Sequence, residues 1–328
     1  MDKSISRRRF IGIFAAGTGF AAASGQSEAG ESPVCEWRGT ALGAVVQMRV
    51  VHKDKAFSQT LLRRAESELR RLEAVFSLYQ PDSAISRLNR FGCLAFPPPE
   101  LVDLVQRVFR YSELTGGLFD PTIQPLWKLY AEHFAVPDAD PEGPDRARVD
   151  AAMERVGLPH VAADRTRIVF TRKGMQLTLN GVAQGYITDK IVDLLGNAGV
   201  ENSLVDMGEI RASGHNADGS PWSVGMENGG DVTALAVTNA AVATSGIRTF
   251  AFDAKGCFSH IFNPFTGRPE VGFESVSVVA PAAADADALS TAFALMDEQR
   301  VSMVLREYGK GSAYLSGKAG GTVVLGSA

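Results

Sequence analysis

The chain carries its strongest signal in two blocks, Ser259-His-Ile-Phe-Asn-Pro-Phe-Thr-Gly-Arg-Pro269 and Ala286-Asp-Ala-Leu-Ser-Thr291, separated by a strand-like run, Phe273–Val279. On a helix, Asp287 and Thr291 lie one turn apart on the same face. A carboxylate and a hydroxyl are hard oxygen donors, so the pair could hold a magnesium ion together with the phosphates of a nucleotide. The start of that helix would add positive potential for a diphosphate.

A plainer interpretation of the second block is also open. Asp285 or Asp287 could simply cap the helix, and Thr291 could be an ordinary helical residue. Spacing alone does not decide between a cation site and a helix cap.

Both blocks resemble the signatures of the ApbE family, the FAD:protein FMN transferases, which carry His-x-x-Asp-Pro-x-Thr-Gly-x-Pro and then Ala-Asp-Ala-Leu-(Ala/Ser)-Thr. Other blocks follow the family pattern in the family's order. They are Arg38-Gly-Thr40, Phe76–Asn89, Gly116-Gly-Leu-Phe-Asp-Pro-Thr122, Leu179-Asn-Gly-Val-Ala-Gln-Gly-Tyr186, Leu204-Val-Asp-Met-Gly-Glu209 and Ala243-Thr-Ser-Gly246. So many blocks in one order are hard to obtain by chance, so we identify the chain as similar to this family.

The resemblance implies an α+β fold of mixed or antiparallel sheets with packed helices, a T-fold-like architecture. It also implies magnesium-dependent transfer of FMN from FAD to a Thr or Ser hydroxyl of a client flavoprotein, with release of AMP. The carbonyl of Gly181 would join Asp287 and Thr291 around Mg²⁺. His260 is the candidate to take the hydroxyl proton, since its ordinary pKa is near neutrality. Alternatively, it only hydrogen-bonds flavin or backbone.

The remaining site residues are carried over from the resemblance as cofactor-binding positions. They are Arg38, Tyr79, Leu118, Phe119, Asp120, Thr178, Gln184, Thr244, Ser245 and His260. Tyr79 could stack on the flavin or could be an aromatic residue of the core. Asp120, which precedes a proline, could line the nucleotide or merely initiate a turn.

Four positions depart from the usual family pattern. Thr178, Asn180, Gln184 and Asn263 stand where relatives commonly have Asp, Gly, Lys and Asp. The changed Leu179–Tyr186 block resembles the NosX-type branch, which accompanies maturation of nitrous oxide reductase. In that branch the client would be a NosR-like, membrane-bound electron-transfer protein.

Two other functions are compatible with the same motifs. One is an FAD pyrophosphatase that gives FMN and AMP, with water in place of the client hydroxyl. The other is a non-catalytic periplasmic flavin-binding maturation factor. The formal net charge of −4 argues against nucleic acid as a partner.

The N-terminus predicts export. Ser6-Arg-Arg-Arg-Phe-Ile11 precedes a small, apolar run, Gly12–Ala23, as in twin-arginine signal peptides. Such a segment could also stay attached as a short membrane anchor, but the run is shorter than the roughly 20 residues that span a bilayer. We therefore expect a signal peptide over 1–25 and a periplasmic ApbE-like domain over 26–328, with a surface excursion at about 130–165.

Periodicity and turn residues predict the order of the elements. The expected helices are Lys55–Val75, Pro98–Gly116, Asp145–Val156, Tyr186–Leu195, Asp287–Met296 and Glu298–Tyr308. The expected strands include Leu42–Val51, a hairpin of Ile168–Thr171 with Met175–Leu179, Asn202–Val205, Trp222–Gly225, Thr233–Val237, Ala241–Thr244, Phe250–Phe252, Ser312–Leu315 and Thr322–Leu325.

Overall fold

The computed structural model describes residues 33–228, 231–246, 250–253, 255–317 and 320–326. The predicted signal peptide over 1–25 lies outside these residues. Across the described ranges no helix is both long enough and apolar enough to cross a membrane.

Helices and strands alternate irregularly along the chain. The helices are α1 (Lys55–Phe76), α2 (Ala84–Phe91), α3 (Pro99–Leu114), α4 (Gln124–Phe134), α5 (Arg146–Met153), α6 (Ala183–Asn197), α7 (Ala283–Phe293) and α8 (Glu298–Tyr308). The strands are β1 (Val34–Ala41), β2 (Ala44–Val51), β3 (Cys93–Ala95), β4 (Val161–Ala163), β5 (Arg167–Phe170), β6 (Asn202–Asp206), β7 (Ile210–Ser213), β8 (Trp222–Asn228), β9 (Asp231–Val237), β10 (Ala241–Gly246), β11 (Ser275–Ala280), β12 (Ser312–Ser316) and β13 (Thr322–Gly326).

A large antiparallel sheet organises these elements. Its strand order is β1-β2-β6-β7-β10-β11-β12-β13, and smaller sheets are formed by β3-β5-β4 and by β8-β9. Helices α6 and α7 pack on one face of the large sheet, and the β8-β9 ribbon packs on β10 and β11 from the other side. The α+β class predicted from the resemblance is confirmed.

The helices over the sheet are buried to different extents. Helix α1 is amphipathic and buries one stripe, which includes Leu61, Ala65, Leu69 and Leu72. Helices α6 and α7 are instead buried around most of their circumference. Polar groups on such helices need hydrogen-bond partners inside the protein. The buried polar side chains of α6 and α7 are therefore candidates for a functional site where the two helices meet.

The His260 block is anchored in a smaller apolar cluster. Phe262 is buried there against Leu126 and Tyr130 of α4 and Val149 of α5. Ala251 and Ser259 form an isolated bridge, whereas we had predicted a strand over Phe250–Phe252. The segment around 130–165 thus supplies part of the support for the turn that follows His260.

The strand predicted over Leu42–Val51 is present as β2, Ala44–Val51, but its predicted start is wrong and its hairpin partner, β1, was missed. Leu42 and Gly43 form its turn at φ angles of 51° and 84°. A left-handed conformation is unusual for leucine, which is why the apolar run concealed the turn. β1 escaped prediction because alternate residues on its outer face, Glu36 and Arg38, are charged.

The hairpin predicted between Ile168–Thr171 and Met175–Leu179 is also wrong. Strand β5 pairs with β3 and β4. The 175–179 segment is instead held by the side chain of Asn89, which exchanges two hydrogen bonds with the backbone of Leu177 at 2.7 and 2.8 Å. The backbone of Thr178 donates to the carbonyl of Pro121 at 2.8 Å. The 175–179 segment resembles a strand in sequence because its alternate side chains are buried, although it has no partner strand among the described residues.

Candidate active site at the junction of two helices

Helices α6 and α7 touch backbone to backbone near their N-termini. A Cβ atom on Gly185 would lie 2.3 Å from the carbonyl oxygen of Ala283 and 2.8 Å from the Cα of Ala284. Only glycine allows this approach. Helix α6 begins at Ala183, before the predicted Tyr186, so Gly185 lies inside the helix.

Helix α7 begins at Ala283, four residues before the predicted start. Asp287 therefore lies in the second turn, and the interpretation of Asp285 or Asp287 as a cap is wrong. The N-cap residue, Ala282, has no accepting side chain. Asp189 of α6 takes that role, accepting the N–H groups of Ala283 at 2.8 Å and Ala284 at 3.0 Å. The helix start that we had expected to face a diphosphate is thus occupied by a carboxylate.

The predicted cation donors come together at this junction. Oδ2 of Asp287 accepts the N–H of Gly185 at 3.1 Å. Oγ1 of Thr291 lies 3.0 Å from where a Cβ atom on Gly181 would be and 3.3 Å from Oγ of Ser245 in β10. Residues far apart in sequence thus place a carboxylate, two hydroxyls and the Gly181 backbone in one region.

Burial sets the electrostatics of Asp287. Its side chain is almost inaccessible, and desolvation raises its pKa to about 8. The hydrogen bond from Gly185 acts in the opposite direction, and the charge of Asp189 raises the pKa further. An ionised Asp287 is therefore costly without a neighbouring positive charge, and a nearby cation would offset that cost.

A second carboxyl group, that of Glu209, is influenced by the charge of Asp287. No role was predicted for it from the sequence. Burial raises the pKa of Glu209 well above its ordinary value, and the charges of Asp287 and Asp206 raise it further. The buried Oε2 atom of Glu209 has no hydrogen-bond partner among the described residues. The available signal was the block that ends at Glu209, which belongs to the family pattern.

Gln184 supports the turn that carries Glu209. Its side chain is buried, and Nε2 donates to the carbonyl of Met207 at 3.0 Å. A Cβ atom on Gly208, which has φ of 104°, would lie 2.4 Å from that nitrogen. Gln184 is therefore a packed neighbour of the site.

The donor set fits a hard, partly hydrated cation. The described residues contain no group of three or more His, Cys, Asp and Glu side chains arranged to hold a metal. One carboxylate, one hydroxyl and one carbonyl would leave several coordination positions for water and phosphate oxygens. Mg²⁺ typically binds in this way, through one or two carboxylates plus substrate phosphates.

His260 is held in one tautomer. Its Nδ1 lies 3.1 Å from the carbonyl oxygen of Phe250, and because a carbonyl only accepts, Nδ1 carries the hydrogen. Nε2 consequently keeps its lone pair. Burial lowers the pKa of His260, and the bond to Phe250 opposes that shift only partly, so the ring is neutral at pH 7.

Tyr79 and Arg38, two of the predicted cofactor-binding residues, differ in where their side chains lie. The side chain of Tyr79 is 49% exposed and lies beside the Gly43 turn, so it is not a core residue. Arg38, on edge strand β1, pairs with Glu36. The described contacts do not connect Arg38 with the junction of α6 and α7.

Three of the predicted cofactor-binding side chains, Leu118, Phe119 and Asp120, are engaged within the fold. Leu118 and Phe119 are buried in the main core. Asp120 accepts from the backbone N–H groups of Thr122 at 2.8 Å and Leu158 at 3.2 Å. It therefore caps the short 3₁₀ turn that follows, as the turn interpretation proposed.

The remaining predicted positions lie close to the junction in sequence or space. Oγ1 of Thr178 accepts from the N–H of Asn180 at 3.3 Å, just before Gly181. Oγ1 of Thr244 lies 2.8 Å from Oγ of Ser277, and its neighbour Ser245 contacts the helix that carries Thr291.

Comparisons with known proteins agree with this architecture. The model of the ApbE family matches residues 42–315. FAD:protein FMN transferases from Salmonella typhimurium and Treponema pallidum are 32% and 31% identical, over 83% and 81% of this chain and 81% and 80% of theirs. The solved flavin transferase ApbE from Vibrio cholerae superposes with a TM-score of 0.78 at 25% identity, covering 90% of this chain and 97% of its own. The chain therefore belongs to the ApbE family.

Proposed function

We propose that this protein transfers the FMN half of FAD to a Thr or Ser hydroxyl of a client flavoprotein, releasing AMP, with a magnesium ion at the junction of α6 and α7. The enzyme class rests on relatives of about 30% identity over four fifths of the chain, which are FAD:protein FMN transferases. The protein is accordingly a flavinyltransferase. The metal, the acceptor and the residue roles are our proposals.

One observation carries the mechanism. The buried carboxylate of Asp287 accepts the N–H of Gly185, and the half-buried hydroxyl of Thr291 lies beside the Gly181 turn, so hard oxygen donors gather at this junction. Such a site suits a cation that neutralises phosphate charge better than it suits a base or a nucleophile.

The transfer is a displacement at phosphorus. The client hydroxyl oxygen attacks the FMN phosphorus of FAD, the bond to the bridging oxygen breaks, and AMP leaves with that oxygen. The hydroxyl proton passes to Nε2 of His260, whose lone pair is kept free by the bond from Nδ1 to Phe250. Since the ring is neutral at pH 7, it can accept this proton directly.

Bound magnesium supplies charge neutralisation at the diphosphate in such reactions. The chain's contribution is to hold the donors in place. Asp287 is fixed by the Gly185 N–H, and the Thr291 hydroxyl is fixed by Ser245 of β10. Burial around both excludes the bulk water that would screen them.

The location and the client follow from sequence. The Ser6–Ile11 block supports export by the twin-arginine route to the periplasm. The resemblance of Leu179–Tyr186 to the NosX-type branch supports a membrane-bound, NosR-like electron-transfer protein as client.

The proposed function is tested by incubating the protein with FAD, Mg²⁺ and a candidate client domain. Flavin linked covalently to the client, with AMP released, is the expected result. FMN and AMP in solution without labelled client would indicate an FAD pyrophosphatase. Intact FAD would indicate a binding protein and would overturn the proposal.

A further inference from the structure

The first turns of α6 and α7 are each completed by a carboxylate from the other helix. Asp287 of α7 accepts the N–H of Gly185 in α6. In return, Asp189 of α6 accepts the N–H groups of Ala283 and Ala284 in α7. Helix starts leave N–H groups unsatisfied and carry positive potential, so carboxylates stabilise both ends. The exchange joins the two helices at a defined register.

Asp189 is itself held from a third element. Nη1 of Arg211 in β7 lies 2.9 Å from Oδ1 of Asp189 and 3.3 Å from Oδ1 of Asp193. The Asp189 side chain is 9% exposed, whereas that of Asp193 is 56% exposed. The same arginine thus pairs with two carboxylates of one helix, and Asp189 is the one that contacts α7.

We propose that Asp189, fixed by Arg211, is a positioning residue that sets the register of α7 against α6 and thereby the affinity of the Asp287–Thr291 site for a divalent cation. The identity of that site rests on the proposed function.

The geometric reason is the position of the cap. Asp189 binds the first two N–H groups of α7, while Asp287 and Thr291 follow one and two turns later on the same helix. A displacement of the helix start is therefore transmitted along the helix axis to both donors. Residues that orient metal ligands without touching the metal commonly change metal affinity by about 10–100-fold when mutated.

The test uses the complete exported domain with saturating FAD and Mn²⁺ as the probe, because free Mn²⁺ is quantified by electron paramagnetic resonance. We expect Asp189→Asn to weaken Mn²⁺ binding about tenfold or more. The matched control is Asp193→Asn, which removes the other carboxylate on Arg211 without touching α7, and which should bind Mn²⁺ within about twofold of wild type. Wild-type affinity in Asp189→Asn would overturn the proposal.

Asp189→Asn also removes a charge that acts on Asp287. Arg211→Gln is therefore the deciding variant, because it leaves that charge and the cap in place but releases the carboxylate, and it also serves if Asp189→Asn does not fold. A loss of at least about threefold supports the positioning role, and unchanged affinity refutes it. Asp287→Ala separates this inference from the proposed function. Undiminished Mn²⁺ binding in that variant would remove the cation site, and with it both proposals. A loss in Asp287→Ala with none in Asp189→Asn would remove only the positioning role.

Discussion

One hydrogen bond fixes the tautomer of His260. The Phe250 carbonyl fixes the hydrogen on Nδ1 and leaves Nε2 as the basic atom, a tautomer that composition or spacing does not reveal. From sequence alone, this histidine could either take a proton or only form a hydrogen bond. The bond to Phe250 leaves Nε2 able to accept a proton, so the role as base stays our proposal, which kinetics can test.

Replacing His260 with alanine should lower the rate of FMN transfer by about 10²–10³-fold, because general-base catalysis contributes on that order. FAD affinity, measured by flavin fluorescence titration, should stay within about twofold. Because burial lowers the pKa of this ring, the wild-type transfer rate measured with saturating Mg²⁺, which keeps Asp287 ionised, should be level between pH 8 and pH 7 and fall only under more acidic conditions. A transfer rate that survives the substitution would reduce His260 to a structural role.

Asp287→Asn should abolish metal-dependent transfer and stabilise the protein without metal. The folded-state pKa of Asp287 is raised to about 8, above its unfolded value near 3.9. The folded state thus binds this proton more tightly, so the stability contribution is present below pH 4 and lost as pH rises through about 8. Asparagine avoids that loss and can still accept from Gly185.

Thermal unfolding without divalent cations checks this expectation. At pH 8.5 the melting temperature of Asp287→Asn should exceed that of wild type by at least about 2–4 °C, and the difference should shrink at pH 5. An Asn variant that is less stable at both pH values would mean that the buried carboxylate is not costly.

Spacing paired Asp287 with Thr291, and the family resemblance added Gly181. The fold places all three at one junction, and their binding of a cation stays a prediction. Asp189 and Glu209 were missed as contributors. Asp189 caps a helix that begins 94 residues later, and the Glu209 carboxyl is influenced by Asp287 from another element. Such contacts depend on tertiary packing, which residue patterns alone do not specify.

At the scale of elements, long periodic helices were predicted well and boundaries poorly. Helix α1 matched its predicted range to within one residue. The start of α7 was missed because its cap comes from another helix, so Ala282 and Ala283 offered no local signal. The 175–179 segment resembled a strand because alternate side chains are buried, although its backbone bonds to the side chain of Asn89.

The contact between α6 and α7 can be tested with two glycines of the same helix. Gly185→Ala should destabilise the protein by about 1–3 kcal/mol, because the new methyl group meets the backbone of Ala283. Gly196→Ala is the control, since a Cβ there has no atoms within 4 Å, and it should stabilise by about 0.5–1 kcal/mol through helix propensity. Urea unfolding gives both values, and equal effects would argue against a close helix contact.

For the whole molecule, the family resemblance predicted the α+β class, and periodicity predicted most of the strands that form the large sheet. The order of strands in the sheet could not be predicted from the sequence. The pairing of β2 with β6, for example, joins Val51 to Asn202, and the whole segment from α1 to α6 lies between them in the chain. The export prediction concerns residues outside the described structure and is testable only in cells.

Replacing Arg7 and Arg8 with lysines should leave the precursor in the cytoplasm, since the twin-arginine route depends on that pair. Cell fractionation followed by immunoblotting measures the distribution. The unaltered chain, expressed in the same strain, should be found in the periplasm. Normal periplasmic levels of the double variant would rule out this route.

Asp189 and Asp287 each accept backbone N–H groups from the other's helix, so α6 and α7 hold each other's first turns in place. Separating the two helices would break both caps at once, so the amides of Gly185, Ala283 and Ala284 should exchange for deuterium together, as one cooperative unit. If the predicted twin-arginine export takes place, the folded enzyme would reach the periplasm with its donors prearranged, before any nucleotide is present.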